Sequence, residues 1–389
     1  MTPHTFILDN GAYTMKAGIA QADGIPRLIP NAIVRGKGEK RHFVGDQLDS
    51  CTDFSSLYYR LPFERGLLTN WNTERTIWDR LFQHAIPIDP KDTRLVLTEP
   101  CFNLPAIQET YDQVVFEEYE FNACYRTIAP QLCLSLWEEA DCRLMVDSGY
   151  SFTHIIPFFK RQPVAKGIRR LNVGGKLLTN HLKEVVSFRA YDMMEETYII
   201  NDVKEKCCFV SQQVFKDLDL CKQKRNPIVQ EYVLPDFIQH TTGHIRTKES
   251  VTHEQQQILT MNNERFMIPE ILMHPSDIGL NQAGIPEAIV QSVSACDPEM
   301  QGLMYANIVL VGGNTHLPGY KERIEHDLRQ YVPEDYEIRI TVPTNPVTCA
   351  WEGANQSILE SSKSELQKVF VQRKEYMEYG SSVCRRKFK

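Results

Sequence analysis

The sequence predicts an α/β fold in which two similar lobes face each other across a cleft, and three observations support this prediction. Residues 6–11 (FILDNG) are echoed far downstream by residues 144–149 (LMVDSG). Short apolar runs that end in Gly or Pro alternate with stretches of helical periodicity. The composition, with 42% hydrophobic and 24% charged residues in a chain of 389, suits a globular protein of about two domains.

The first element is a buried strand over residues 6–8 that ends at Asp9. Gly11 permits a sharp reversal after the strand, and Lys16 lies on the strand that returns. The pattern predicts a hairpin with a carboxylate at its turn.

The downstream echo repeats this order. Asp147 ends the strand, Gly149 allows the turn, and His154 lies on the returning strand. Repetition at this distance predicts two related units that face each other.

A further α/β unit lies between the two echoes. Residues 94–98 form a strand that Glu99 and Pro100 close, and a helix follows whose apolar residues share one face. After the second echo, Gly174 and Gly175 open a helix, and a second helical stretch follows through Val203, Cys207 and Val210.

The last third of the chain predicts another strand, turn and helix. Residues 307–311 form a buried strand, Gly312 and Gly313 make the turn, and a helix begins at Pro318 and Gly319. The segment that holds Trp351 is expected to return to the first lobe and close the molecule.

The polar region 211–263 is harder to interpret. His240 and His244 would share one helical face as metal ligands, but a solvated loop is the favoured interpretation. Gly243 weakens any helix there, and no third ligand is apparent.

Composition and charge exclude several classes of protein. A formal net charge of −7 argues against direct, sequence-specific DNA binding, and no apolar stretch is long enough for a membrane span. The eleven scattered cysteines predict reduced, buried side chains and neither disulfides nor a zinc site. The start lacks the features of a signal peptide, so we expect an intracellular protein. The basic end, residues 385–389, is predicted to be a solvated terminus, and a nuclear import signal is the alternative.

Two strand-end aspartates from related lobes suit a magnesium ion, because Mg²⁺ prefers hard oxygen ligands beside nucleotide phosphates. Asp9 and Asp147 are the candidate metal ligands, and Lys16 is placed to meet the phosphates. Either motif alone is more often a plain hairpin turn. The Gly312 and Gly313 turn adds a third nucleotide-facing element.

Motifs along the whole chain resemble those of the actin family. Residues 8–11 with 16–18, and 146–149 with 153–154, are similar to the two phosphate hairpins of actin. Further motifs in actin order are found at residues 66–71, 97–100, 203–206, 263–266, 305–307, 312–313, 318–319 and 375–376. The resemblance implies the actin-like ATPase fold, a ribonuclease H-like α/β fold with two pseudo-symmetric lobes around a nucleotide cleft.

The resemblance also implies the division into lobes. The large outer lobe would comprise 1–137 and 349–389, as subdomains 1 and 2, with 31–63 as subdomain 2. The inner lobe would comprise 138–348, as subdomains 3 and 4, with 174–280 as subdomain 4.

The resemblance implies ATP or ADP with Mg²⁺ as the ligand. It leaves open whether a nucleotide is bound at all. The implied nucleotide-binding residues are Asp9, Gly11, Lys16, Asp147, Ser148, Gly149, Lys204, Glu205, Gly312 and Gly313. Gln131 and His154 lie where actins hold the residues beside the attacking water, so they are the candidate catalytic residues.

The chain departs from the family pattern in both hairpins. Tyr13 stands where actins have a glycine close to phosphate, and Tyr150 and Ser151 stand where they have an acidic residue and a glycine. A phenol lacks the charge of a carboxylate, so we expect nucleotide binding to be weak or vestigial and hydrolysis to be inefficient.

The surface used for polymerisation also differs. Between Gly45 and Gly66, where actins hold the loop that grips the next subunit, the usual basic, glycine and aliphatic pattern is missing. Loss of one half of a head-to-tail contact predicts a protein that does not form a homopolymer.

Four segments, 146–154, 171–184, 233–236 and 286–289, most closely resemble a nuclear branch of the actin-related proteins. That branch implies a structural, non-enzymatic subunit of a chromatin-remodelling complex that exchanges a histone variant. The expected partners are the motor subunit of the remodeller and a small zinc-containing subunit, with the nucleosome contacted through the complex. The expected location is the nucleus, with a share in the cytoplasm.

Two other functions stay open at this point. An active cytoskeletal ATPase is favoured by Gln131, His154 and the aspartate pair. Tyr13, Tyr150 and Ser151 oppose it. A sugar or acetate kinase of the same ancestral fold would need an acceptor pocket with a catalytic base, and the sequence offers no sign of one.

Overall fold

Two central sheets organise the computed structural model, which describes residues 4–37, 41–137, 140–237, 240–247 and 256–388. In the first sheet the strands lie in the order Val371–Gln372, Ala123–Ile128, Thr93–Glu99, His4–Asn10, Thr14–Ile19 and Arg27–Pro30. His4–Asn10 is antiparallel to Thr14–Ile19 and parallel to Thr93–Glu99. This hairpin beside a parallel strand is the arrangement that the first motif predicts.

The second sheet repeats that arrangement. Its strands lie in the order Gln162–Pro163, Thr153–Phe159, Cys142–Ser148, Ile308–Val311 and Ile340–Thr341, and Arg169–Leu171 also pairs with Thr153–Phe159. Cys142–Ser148 is antiparallel to Thr153–Phe159 and parallel to Ile308–Val311. The predicted α/β fold with two related units is therefore confirmed, while the residue boundaries of the lobes stay a prediction.

Alternation along the first strand of each hairpin distributes its apolar side chains between two cores. Phe6 and Leu8 pack into one cluster of the first sheet, and Leu144 packs into the main cluster of the second. Ile7 and Met145 point the other way, into a cluster that both sheets share. The shared cluster holds the two sheets together behind the cleft.

Smaller sheets extend each half. One consists of His42–Val44, Ile33–Arg35 and Tyr58–Arg60, a second of Phe63–Glu64 and Leu67–Leu68, and a third of His244–Ile245, Gln230–Val233 and Ile258–Met261. The third sheet lies within the region that the sequence left unassigned.

Helices cover the sheets and connect their strands. The α-helices are Trp71–Arg80, Pro105–Gln113, Ala129–Cys133, Gly175–Arg189, Thr197–Cys207, Val214–Cys221, Glu264–Glu270, Ile285–Ser294, Pro298–Tyr305, Tyr320–Tyr331, Cys349–Glu360, Lys363–Val369, Arg373–Tyr379 and Ser381–Lys387. Two of them continue as single π-helical turns, Leu81–Ala85 and Val114–Glu118.

The predicted helix through Val203 and Cys207 does not reach Val210. It ends at Cys207, and Cys208 has an extended backbone. The backbone N–H of Val210 instead donates to the carbonyl of Pro318 over 2.8 Å. A tertiary hydrogen bond therefore replaces the last helical turn that the periodicity predicted.

His240 and His244 do not share a helical face. His244 begins a short strand and pairs with Val233, while His240 is exposed. Within the described ranges no group of three or more His, Cys, Asp or Glu side chains could hold a metal ion. Residues 240–247 form a loop interrupted by the short strand that His244 begins, and the rest of the predicted solvated loop, residues 248–253, lies outside the described ranges.

Two helices connect the halves of the molecule behind the cleft. Cys349–Glu360 packs so closely on Ala129–Cys133 that a Cβ at Gly353 would lie 2.1 Å from the carbonyl oxygen of Leu132. The strand Val371–Gln372 then joins the edge of the first sheet. The C-terminal segment returns to the first half, as the sequence predicts.

At the mouth of the cleft the two halves are in contact. The rings of Phe54 and Tyr198 stack with centroids 4.1 Å apart, and Lys37 forms an ion pair with Glu195 at 2.8 Å. The backbone N–H and hydroxyl of Ser56 donate to the Glu196 carboxylate over 2.9 and 2.8 Å. The residue pairs Phe54 with Tyr198 and Ser56 with Glu196 are called the mouth contacts below.

The cysteines and the termini also bear on the predictions. No disulfide links any of the eleven cysteines, all of which lie in the described ranges, and only Cys221 is not buried. None of the helices in the described part has the length and apolar character of a membrane span. The basic end forms the helix Ser381–Lys387, in which Arg385 pairs with Glu109 and Lys387 with Glu375.

Candidate functional site

The two hairpins present equivalent residues to one cavity. Asp9 is paired with Lys16 across the first hairpin, and Asp147 is paired with His154 across the second. All four residues line a cavity of about 550 Å³ between the two sheets. The aspartates that the sequence proposes as metal ligands therefore share one cleft.

Polar contacts hold the Asp9 carboxylate in place. The Thr98 hydroxyl donates to Asp9 Oδ1 over 2.8 Å and accepts from the backbone N–H of Asn10 over 2.8 Å. The ammonium of Lys16 lies 3.1 Å from Asp9 Oδ2. Asp9 thus has a neutralising partner in the same hairpin.

Asp147 has a different environment. Burial, together with the negative charge of Asp9, raises the pKa of Asp147 to about 6, and the charge of Lys16 opposes this rise. Two carboxylates that face one cavity, one of them fully buried, form a suitable site for a cation. Two carboxylates are too few to enclose Mg²⁺, so water and phosphate oxygens would supply the remaining ligands.

Two tyrosines stack across the cleft between the hairpin turns. The rings of Tyr13 and Tyr150 have centroids 4.8 Å apart and planes inclined by 24°. The Tyr13 hydroxyl also accepts a hydrogen bond from the Asn201 amide over 3.4 Å. Burial raises the pKa of Tyr150 to about 12, so the phenol that replaces a carboxylate is neutral. The stacked pair, called the tyrosine bridge below, occupies space between the two turns.

Most of the predicted nucleotide-binding residues line the cavity. They are Asp9, Gly11, Lys16, Asp147, Gly149, Lys204, Glu205, Gly312 and Gly313. Gly312 has a φ of +93°, and a Cβ there would lie 2.3 Å from the Ser148 carbonyl oxygen. This close approach requires glycine.

The structure places Ser148 differently from the prediction. Ser148 is fully buried and does not line the cavity. Its hydroxyl lies 2.9 Å from that of Thr153 and accepts from the Asn314 amide over 3.0 Å. The side chain of Ser148 therefore supports the second hairpin from behind, because the strand alternation directs it into the interior.

Lys204 lines the cavity but is engaged within the protein. Its ammonium donates to Thr179 Oγ1 over 3.0 Å and to Asn201 Oδ1 over 2.9 Å. Burial lowers the pKa of Lys204. The neighbouring Glu205 is exposed and accepts from the Asn201 amide over 2.7 Å.

The two candidate catalytic residues have different positions. His154 lines the cavity beside Phe152, and its Nε2 has no hydrogen-bond partner among the described residues. Burial lowers the pKa of His154 to about 3, so its imidazole is neutral near pH 7. Gln131 does not line the cavity, and its amide donates to the Arg161 carbonyl over 2.8 Å. This geometry does not support the predicted role of Gln131.

Sequence reasoning missed three polar residues that build the site. Thr98 orients Asp9, Asn201 connects Lys204 with the tyrosine bridge, and Asn314 donates to the Gly149 carbonyl over 3.0 Å. Asn314 directly follows the Gly312 and Gly313 turn, so its position in the sequence was a usable signal.

Comparison with known proteins agrees with this geometry. The family model for actin matches residues 2–389. Actin-like protein ARP6 of Cryptococcus neoformans is 44% identical over 100% of this chain and 85% of its own length. Actin-related protein 6 of Drosophila melanogaster is 40% identical over 96% and 97% of the two chains, and that of Arabidopsis thaliana is 34% identical over 98% of each. These relatives share the name actin-related protein 6 or ARP6. That is the branch of the actin family that segments such as 146–154 predict.

Proposed function

This chain belongs to the actin family and is similar there to proteins named actin-related protein 6, and we propose a function on that basis. We propose that it is a structural, non-polymerising subunit of a nuclear chromatin-remodelling complex that exchanges a histone variant. Its partners in this proposal are the motor subunit of the remodeller and a small zinc-containing subunit. The nucleosome is contacted through the assembled complex.

The tyrosine bridge is the observation that supports the part of this proposal about nucleotide binding. Tyr13 and Tyr150 stack at 4.8 Å between the turns where the phosphate tail of a nucleotide would lie. Two neutral rings neither neutralise phosphate nor leave the backbone open to it. This supports weak or vestigial binding of ATP or ADP and inefficient hydrolysis.

The residues for Mg²⁺ remain in place. Asp9 and Asp147 would hold the ion, mostly through its waters, and the ion would supply positive charge to the phosphate oxygens. The Nε2 of His154 has no hydrogen-bond partner among the described residues, and Gln131 is bound elsewhere. An active cytoskeletal ATPase is therefore not favoured.

The mouth contacts support a fixed, closed conformation. They tie residues 54 and 56, which lie in the segment that differs from polymerising actins, to the helix Thr197–Cys207 and the residue before it. A segment bound to its own chain is not free to grip a second copy. Closure of this kind suits a subunit that serves as a rigid scaffold.

Purification of the tagged native protein from nuclei tests the proposal. We expect the motor of a remodeller to co-purify, the purified chain to stay in the supernatant after centrifugation under conditions that polymerise actin, and phosphate release to be close to background. Recovery as a free cytoskeletal protein, a sedimenting polymer, or steady phosphate release comparable with that of polymerising actin would each refute it.

A further inference from the structure

A second cavity lies on the other side of the tyrosine bridge. It has a volume of about 610 Å³, and Tyr13 and Tyr150 line both it and the cavity between the hairpins. Volumes of this size are typical of sites for small organic ligands. This second cavity, called the upper cavity below, is separate from the candidate nucleotide site.

One wall of the upper cavity is cationic. Lys176, Thr179, Asn180 and Lys183 line it from successive turns of the helix Gly175–Arg189. Neither lysine forms an ion pair with any residue that the structure describes, and the Lys183 ammonium donates only to the Thr197 hydroxyl, over 3.0 Å. Two cations therefore face the cavity from one helix, and neither is held in an ion pair with a described residue.

The environment of Lys183 is unfavourable for its positive charge. Burial lowers the pKa of Lys183, and the charge of Lys176 lowers it further, while Glu184 on the same helix acts in the opposite sense. An anion in the cavity would offset both unfavourable effects. Among the described lining residues, Asp49 is the one acidic group, and it lies at the exposed rim.

The other walls are aromatic and come from both halves of the chain. Phe54, Tyr59 and Tyr198 line the upper cavity together with the tyrosine bridge. Stacked rings provide flat apolar surfaces of the kind that bind a planar ligand. Because Phe54 and Tyr198 belong to the mouth contacts, a ligand here would touch both sides of the cleft.

We propose that the upper cavity binds a small aromatic acid, whose ring lies against Tyr59 and Tyr198 and whose carboxylate, sulfonate or phosphate pairs with Lys176 and Lys183. Such a ligand would stabilise the closed cleft without occupying the nucleotide site. This site goes beyond the proposed function: it shares the tyrosine bridge and the mouth contacts with that proposal but involves neither Asp9 nor Asp147.

A pair of fluorescent probes separates charge recognition from general apolar binding. Anilinonaphthalene sulfonate is an aromatic anion, and phenyl-naphthylamine is a neutral compound of similar size. Both would be titrated into the full-length protein. We expect Lys176→Met combined with Lys183→Met to weaken the anionic probe about tenfold, because charge-assisted hydrogen bonds are lost, and to leave the neutral probe unchanged.

Two further variants keep the test independent of folding. Asp49→Asn removes the acidic group and is expected to strengthen binding of the anionic probe severalfold, which misfolding would not do. Lys216→Met combined with Lys224→Met, at exposed positions away from the cavity, is the matched control and should change neither affinity.

Two outcomes would overturn the proposal. One is failure of the wild-type protein to bind the anionic probe, and the other is an affinity for that probe that the Lys176 and Lys183 substitutions leave unchanged.

Discussion

Asn10 in the first hairpin donates its side-chain amide to the carboxylate of Glu74 over 2.7 Å, at a position that solvent does not reach. The other carboxylate oxygen of Glu74 has no hydrogen-bond partner within the described ranges. Burial raises the pKa of Glu74 from its ordinary value of 4.5 to about 7. A proton on Glu74 therefore stabilises the packing behind the candidate phosphate site.

The first prediction concerns pH. Since the folded pKa of Glu74 is raised, the folded protein keeps a proton that the unfolded chain releases, and the free energy of unfolding falls as pH rises from about 4.5 to about 7. Glu74→Gln should reduce the loss of stability between about pH 5.5 and about pH 8 by about 2 kcal/mol, measured by urea unfolding. The exposed Glu299→Gln is the control. Equal pH slopes for wild type and Glu74→Gln would contradict the prediction.

The second prediction concerns the tyrosine bridge. Tyr13→Gly removes one ring and should raise the affinity for MgATP about tenfold, because the phosphate tail gains space between the hairpin turns. The affinity for adenosine, which has no phosphates, should not change, and calorimetric titration would measure both. Tyr13→Phe keeps the stack and should behave as wild type. A Tyr13→Gly variant with unchanged MgATP affinity would show that the rings do not obstruct the site.

The third prediction concerns the mouth of the cleft. Phe54→Ala removes a buried ring that stacks on Tyr198 and should lower the free energy of unfolding by about 3 kcal/mol. Hydrogen exchange should also accelerate in the helix Thr197–Cys207 on the opposite side of the cleft. Phe215→Ala, at a ring that is 85% exposed, is the matched control. Faster exchange confined to the neighbours of Phe54 would argue against coupling across the cleft.

The fourth prediction concerns a buried ion pair in the second half. The Arg323 guanidinium donates to both carboxylate oxygens of Glu270, over 2.9 and 2.7 Å, and to the Ser211 carbonyl. Arg323→Met should lower the free energy of unfolding by about 3 to 5 kcal/mol, because the buried Glu270 then keeps only its contact with the partly exposed His274, whose Nδ1 lies 2.7 Å from Glu270 Oε1. Denaturant unfolding measures this loss. Arg339→Met, at an exposed pair, should have little effect, and a similarly small effect for Arg323→Met would refute the argument.

Much of the site could be predicted because its residues lie at strand ends. An apolar run followed by Asp and Gly has few structural interpretations, and two copies of that pattern led to Asp9 and Asp147. The same local reasoning placed Gly312, where a positive φ and a close approach to Ser148 leave no room for a side chain.

Other features depend on contacts between distant segments. The end of the helix at Cys207 is set by a hydrogen bond between Val210 and Pro318, and Gln131 is directed away from the cavity by the Arg161 carbonyl. Neither partner is close in sequence, so periodicity carries no information about them.

The sequence by itself determined that this chain has two related α/β units, because strand ends, glycine turns and helical periodicity are local properties. The order of its motifs supplied the resemblance to the actin family. Only the tertiary structure decided that Tyr13 and Tyr150 stack on each other and that Phe54 meets Tyr198. The physical reason is that such contacts depend on how closely the two halves approach and on which side-chain rotamers fit between them.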